Sequence, residues 1–324
     1  MMPADVSVAF DGLESPDVVR ATARDAEAAG ARTLWFAAHL FNREPIATAA
    51  LALAATSRIK VALMALSPYT VHPVYAAMAA ATLDEWFPGR VELCLGVGAP
   101  ADLAAAGVAA AGPLRTMRES LAIVRRLLAG ESVVHDGERF RVQGRRLATG
   151  ARIVPLILAA SGPQMLALAG SDADGVLISA ATSPAFIAWT LERVRVGEAT
   201  RDHPVRRIAL VLAAMDDEPA RAHARLHRRL GFILRGGHHA RNLHLAGTTL
   251  DQGALADAYA REDWARVEAL VSDDVVRRHA ASGTPAELRS ALDAYQRIGL
   301  DEIVLSGVAG GTNVAAILRA ARGV

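Results

Sequence analysis

Histidine is the side chain best suited to pass a proton near neutral pH. One of the ten in this chain, His39, closes the apolar run Leu34-Trp35-Phe36-Ala37-Ala38. A histidine just past a strand end can serve a bound molecule as proton donor or acceptor; it can equally cap a loop. Further segments of small residues follow the later apolar runs: Ser67 in Ser67-Pro68-Tyr69-Thr70, then Gly96-Val97-Gly98, Ser161-Gly162-Pro163, Ser179 and Gly310-Gly311-Thr312. Ser161-Gly162-Pro163 and Gly310-Gly311-Thr312 each precede a helical stretch. Free N–H groups at such a point can hold a phosphate, although an ordinary helix start reads the same way.

Other patterns carry less. His223 and His227 share a helical face at the spacing of two metal ligands, but Arg221, Arg225, Arg228 and Arg229 flank them, and a solvated basic face is expected. His238-His239, with His244, forms a loop that could reach a site, without carboxylate or cysteine partners for a metal. Asp172-Ala173-Asp174-Gly175 lacks the later acidic ligands of a calcium loop. No Gly-x-Ser-x-Gly elbow is present. No metal is expected.

The elements that must position these residues alternate. Short β-branched runs near 6–10, 33–37, 59–66, 90–97, 153–160, 175–179, 208–215 and 302–306 read as eight strands, each followed by a longer amphipathic stretch. Such alternation implies parallel strands with helical crossovers. Eight units in 324 residues fit a TIM (β/α)8 barrel with insertions, in one domain. The insertions are a hairpin near 131–150, turning at Asp136-Gly137, and a helical region near 236–280. A doubly wound sheet fits less well, because Asp11-Gly12-Leu13-Glu14 after the first strand is no glycine-rich phosphate turn. In a barrel the residues just past the strands form the site, which puts His39 and the small-residue segments at one mouth.

Bulk properties narrow the partners. The net charge of +1 gives no electrostatic reason to expect nucleic acid or an anionic membrane. The apolar stretch from Ile46 to Leu66 is broken by Thr48, Thr56, Ser57, Arg58 and Lys60, so it is not expected to cross a bilayer. Cys94 is the sole cysteine and reads as a buried apolar residue; no disulfide framework and no basic leader point to the cytoplasm.

The ordered segments resemble the luciferase-like monooxygenase superfamily, and within it the deazaflavin branch typified by methylenetetrahydromethanopterin reductase. The resemblance is carried by Trp35 to His39, Phe41-Asn42-Arg43, Ser67 to Pro73, Thr82-Leu83-Asp84-Glu85, Pro88-Gly89-Arg90, Leu95 to Gly98, Ala160 to Pro163, Ala173 to Ile178, Ser282 to Pro285 and Gly299 to Val304. It implies a barrel that holds coenzyme F420, or alternatively FMN, and an oxidoreductase that moves hydride to or from a small organic substrate. It implies His39 beside the ring, and Met64-Ala65 as a bulge behind the ring with a non-prolyl cis bond. Ser161, Gly162 and Gln164 would lie near the phosphate tail, and Ser67, Gly96, Val97, Gly98 and Ser179 would line the same site. A homodimer is implied as well, with the alanine-rich helices near strands two to four as its contact. Ala9, Ala38, Ala99 and Gln164 stand where that branch carries acidic residues or lysine. These departures imply a substrate other than the pterin, and they keep an FMN monooxygenase and a non-catalytic ligand-binding barrel as alternatives.

Overall fold

The computed structural model describes residues 4–199, 201–310 and 313–323. Strands β1 (Asp5–Phe10), β2 (Thr33–Ala37), β3 (Lys60–Leu66) and β4 (Val91–Leu95) alternate with helices α1 (Pro16–Ala28), α2 (Pro45–Ala55) and α3 (Pro73–Trp86); α4 (Pro100–Ala105) and α5 (Pro113–Leu128) follow. A hairpin of β5 (Val133–Asp136) and β6 (Arg141–Arg145) forms a separate sheet. The alternation resumes with β7 (Leu156–Ala159), α6 (Pro163–Asp172), β8 (Gly175–Ile178), α7 (Pro184–Glu198) and β9 (Arg206–Met215). Helices α8 (Pro219–Leu234), α9 (Ala240–Leu245), α10 (Gln252–Ala260), α11 (Trp264–Leu270) and α12 (Asp273–His279) precede β10 (Ala281–Gly283), α13 (Pro285–Gln296), β11 (Glu302–Ser306) and α14 (Val314–Arg322).

Strands β9, β11, β1, β2, β3, β4, β7 and β8 pair in parallel in that order, and pairing of β8 with β9 closes them into the expected TIM barrel. β9 is long enough to serve three partners: Arg206–Ala209 pairs with β8, Ile208–Leu212 with β11, and Ala213–Met215 with β10. Prolines open most of the crossover helices, where the missing N–H costs nothing. Ser183 and Thr284 add side-chain caps, the latter in a reciprocal capping box with Glu287.

Period-two alternation sorts the strand residues into two cores. Val8, Phe10, Leu34, Phe36, Leu63, Leu93, Leu158 and Leu305 face the helices. Ala9, Trp35, Ala37, Ala62, Met64, Cys94, Ile157, Leu177, Ile208 and Val304 fill the barrel interior. At the N-terminal end the filling is ionic. Arg206 lies between the fully buried Glu92 and Glu302, and the Glu302 carboxylate also accepts from Ser7 Oγ at 2.6 Å and Trp35 Nε1 at 2.8 Å. Arg32 and Lys60 complete the cluster at 3.4–4.0 Å.

The hairpin is held to α5 by Glu119, whose carboxylate accepts from the backbone N–H groups of Glu138, Arg139 and Phe140 at 3.0–3.2 Å. A buried polar network ties the α8–α12 region to the loop after β8. Asn242 Nδ2 donates to Ala181 O at 2.7 Å, and its Oδ1 accepts from Ser183 N at 2.9 Å. His279 Nε2 lies 2.8 Å from Thr248 Oγ1.

Burial lowers both His279 and His239 from the ordinary 6.5 to about 4, and for His239 the neighbouring His238 and His279 add to the effect. Each folded-state value lies below the unfolded one, so the stabilisation is complete above pH 6.5 and is lost as pH falls from there toward 4. The expected loss is on the order of 3 kcal/mol per histidine. Urea unfolding at several pH values across that window checks this; a flat profile would contradict it.

Two sequence expectations change. Ile153 does not begin the fifth barrel strand: it is 93% exposed and β7 starts at Leu156, after Pro155. The His223–His227 face is not solvated, because α8 packs it against α12 and β10. His223 is buried with Nδ1 2.6 Å from Ser282 Oγ, and His227 pairs with Asp273 at 3.1 Å. His239 is buried beside His279, and the segment it belongs to meets the loop after β8 through Asn242.

Candidate active site

Small residues stand at or next to the C-terminal ends of six barrel strands: Ala9, Ala37, Ala65, Gly96, Ala159 and Ser179. The packing leaves no slack. A Cβ at Gly96 would stand 2.9 Å from the Ala65 methyl and 3.2 Å from the Ala159 methyl. The ends of β3, β4 and β7 therefore approach so closely that a side chain at 96 would displace one of these methyls. The Met64–Ala65 peptide is cis, at the position the resemblance assigns, and the β3–β4 register shifts between Leu63 and Leu66. Ala38 N donates to Met64 O at 2.6 Å, which fixes the end of β2 against that bend.

His39 stands at the rim with its side chain 51% exposed. Its Nδ1 lies 3.4 Å from Asp102 Oδ2, on α4. Asp102 was not singled out by the sequence; the cue was Ala99-Pro100-Ala101-Asp102, a proline-opened turn between Gly98 and the next long helix. The two side chains are at ion-pair distance, and no hydrogen bond between them fixes which ring nitrogen faces a bound molecule.

The other expected residues divide. Ser67 is buried and its hydroxyl is engaged: it donates to Val97 O at 2.7 Å and accepts from Tyr69 N at 3.3 Å, so it ties the β3 and β4 loops together. Val97 is half-buried, and Gly98 is exposed with φ +99°, a conformation suited to glycine. Ser161, Gly162, Gln164 and Ser179 are exposed at their strand and helix ends. Gly162 is the N-cap of α6 and no side chain caps that helix, which leaves its first N–H groups open. Gln164 and Arg118 line one cleft of about 390 Å³ on the flank of α6. A second cleft, about 480 Å³ between Arg125, Arg152, Pro155 and Asp174, lies toward the opposite end of the barrel from His39, and nothing at the mouth connects to it. At the mouth, His39, Ser161 and Ser179 are exposed.

A further mouth residue missed by the sequence is Arg229. It reaches back from α8 to donate to Asp11 Oδ2 at 2.6 Å and Ser306 Oγ at 3.0 Å. Of the candidate phosphate turn Gly310-Gly311-Thr312, residues 311 and 312 lie outside the described residues. Among the described residues no three His, Cys, Asp or Glu side chains converge to hold a metal ion.

An eight-stranded barrel with a cis bend in its third strand and a histidine at the second strand's end defines a class, and residues 2–302 match the family model for luciferase-like monooxygenases. The chain belongs to that family. It is 32% identical over 289 residues to the 5,10-methylenetetrahydromethanopterin reductase of Methanolobus tindarius, covering 87% of each chain. Its fold is similar to that of the coenzyme F420 dependent tetrahydromethanopterin reductase from Methanopyrus kandleri, with TM-score 0.89, 22% identity and 98% of each chain covered. It is also similar to an F420-dependent secondary alcohol dehydrogenase in complex with an F420-acetone adduct, with TM-score 0.81, 19% identity and 98% of each chain covered.

Proposed function

We propose that this protein is a coenzyme F420-dependent oxidoreductase acting on a small organic substrate at the barrel mouth. The observation that carries it is the His39–Asp102 pair at a mouth edged by small residues, in a chain 32% identical to a 5,10-methylenetetrahydromethanopterin reductase and similar in fold to a coenzyme F420 dependent one. In this reading a planar tricyclic ring would rest against the half-buried Ala65 and Ala159, whose methyls are the smallest side chains that can carry it. When bound, the deazaflavin supplies the hydride donor or acceptor.

The chain's own residues do the rest. Ala65 and Ala159, packed against Gly96, would support the ring. His39 would hold or release the proton, with the Asp102 carboxylate 3.4 Å from its Nδ1 as the neighbouring negative charge. Ser67 positions Val97 and Gly98 at the mouth. The open N–H groups of α6, with Ser161, Gly162 and Gln164, would meet the phosphate tail. Arg118, across the cleft from Gln164, supplies a cation where the related branch carries lysine. Ala9, Ala38 and Ala99 withhold the carboxylates of that branch, which favours a substrate other than the pterin.

The chain is further proposed to act in the cytoplasm, consistent with its lone buried Cys94, and as a homodimer. Helix α2 is apolar on nearly all sides, and α3 exposes Tyr75, Met78 and Trp86, an outer wall that a second copy would cover.

Titration of the purified chain with coenzyme F420 and with FMN, followed by absorbance and by tryptophan fluorescence, tests the cofactor. Saturable binding of F420 with weaker FMN binding is expected. Preference for FMN would shift the assignment to a flavin monooxygenase, and binding of neither would leave a non-catalytic barrel.

A further inference from the structure

Two loops at the mouth are locked together. Asn42 Nδ2 donates to Asp11 O at 2.9 Å, Arg43 N to Gly12 O at 3.0 Å, and Arg43 Nη1 to Leu13 O at 2.7 Å. Gly12, at φ +78°, sits so close that a Cβ there would stand 3.0 Å from Asn42 Cβ and 3.2 Å from Arg43 O. Between His39 and this lock lies Phe41, whose backbone is held at φ +68°. That is the left-handed region, which bulky side chains avoid and glycine or asparagine enter freely. The ring gains nothing inside the protein in exchange: it is 77% exposed and belongs to none of the apolar clusters. Leu13, on the partner loop, is 69% exposed.

A strained backbone that displays an aromatic ring to solvent, enforced by neighbours on both sides, is the signature of a functional position and not of packing. We propose that Phe41, with Leu13, forms the specificity wall of the site and receives an apolar, ring-sized part of the substrate whose reacting carbon lies by His39. This rests on the mouth being the reaction site proposed above. It names the substrate class: an organic molecule with one oxidisable or reducible carbon and an apolar body, rather than a sugar phosphate or other polar substrate. A small molecule is favoured over a second copy of the chain because the ring lies two residues from His39, whereas the exposed stripe suited to a copy runs along α3.

The test uses the full chain, with and without saturating F420, and benzyl alcohol as probe against ethylene glycol as polar control, with affinities from saturation-transfer NMR. Wild type is expected to bind benzyl alcohol and not ethylene glycol. Phe41→Ala and Phe41→Gly are each expected to bind it roughly tenfold more weakly or worse, with F420 affinity unchanged. Phe41→Gly, relieved of its backbone strain, is expected to melt at or above the wild-type temperature. Equal benzyl alcohol affinity in wild type and variants, no binding by wild type, or a lower melting temperature for Phe41→Gly would overturn the proposal. So would a change in the mass of Phe41→Gly in light scattering, which would place the ring in a contact between copies. Failure of wild type to bind F420 would end the proposed function, while the benzyl alcohol titration would still decide on Phe41.

Discussion

His39→Ala is expected to lower kcat for F420-linked turnover by about 10²–10⁴-fold, the usual worth of a positioned proton donor or acceptor. The loss should appear in kcat more than in the affinity for F420, because the packing of Ala65, Gly96 and Ala159 is untouched. Asp102→Asn preserves shape but removes the charge 3.4 Å from Nδ1, so it is expected to lower kcat by less than His39→Ala. The double variant should lose little beyond His39→Ala alone, since Asp102 acts through the imidazole. Steady-state rates with the best member of an alcohol and ketone panel check all three. Turnover of His39→Ala at the wild-type rate would remove His39 from the chemistry.

The second large effect lies at the other end of the barrel. Arg206→Met is expected to cost about 3–5 kcal/mol of stability, because it leaves Glu92 and Glu302 buried without their shared cation. Arg32 and Lys60, at 3.4–4.0 Å, compensate only in part. Burial already pushes the Glu302 carboxyl up, and Arg206 opposes that shift. Without Arg206 the folded-state value rises further above the unfolded one. The folded chain then holds a proton that the unfolded chain releases, so stability falls as pH rises and is recovered toward the ordinary carboxylate range. Urea unfolding at neutral and mildly acidic pH should show the deficit shrinking on acidification. An undiminished deficit would mean that neither carboxyl takes up the proton.

Much of the architecture is local information. Thr33–Ala37, Pro45–Ala55 and Pro184–Glu198 end where their apolar periodicity, prolines and caps say they should. The site is legible only in part. His39 and Gly96 follow strands and so announce themselves. Asp102 meets His39 and Arg229 meets Asp11 only because the barrel closes and loops from distant segments share one mouth. No spacing along the chain encodes that. Burial is equally non-local: the arginines around His223 suggest solvent, yet the α8 face that carries it is covered by α12 and β10, which come some fifty residues later. Ser67 reads as a ligand-facing hydroxyl until the β4 loop supplies Val97 O to occupy it.

A crystal structure of the chain with coenzyme F420 would test most directly whether the mouth is a hydride-transfer site. The ring is expected against Ala65 and Ala159, with His39 beside it and Asp102 still near Nδ1. F420 bound elsewhere, such as in the cleft beside Arg125 and Arg152, or a mouth from which the ring is excluded by His39 itself, would contradict the proposed function.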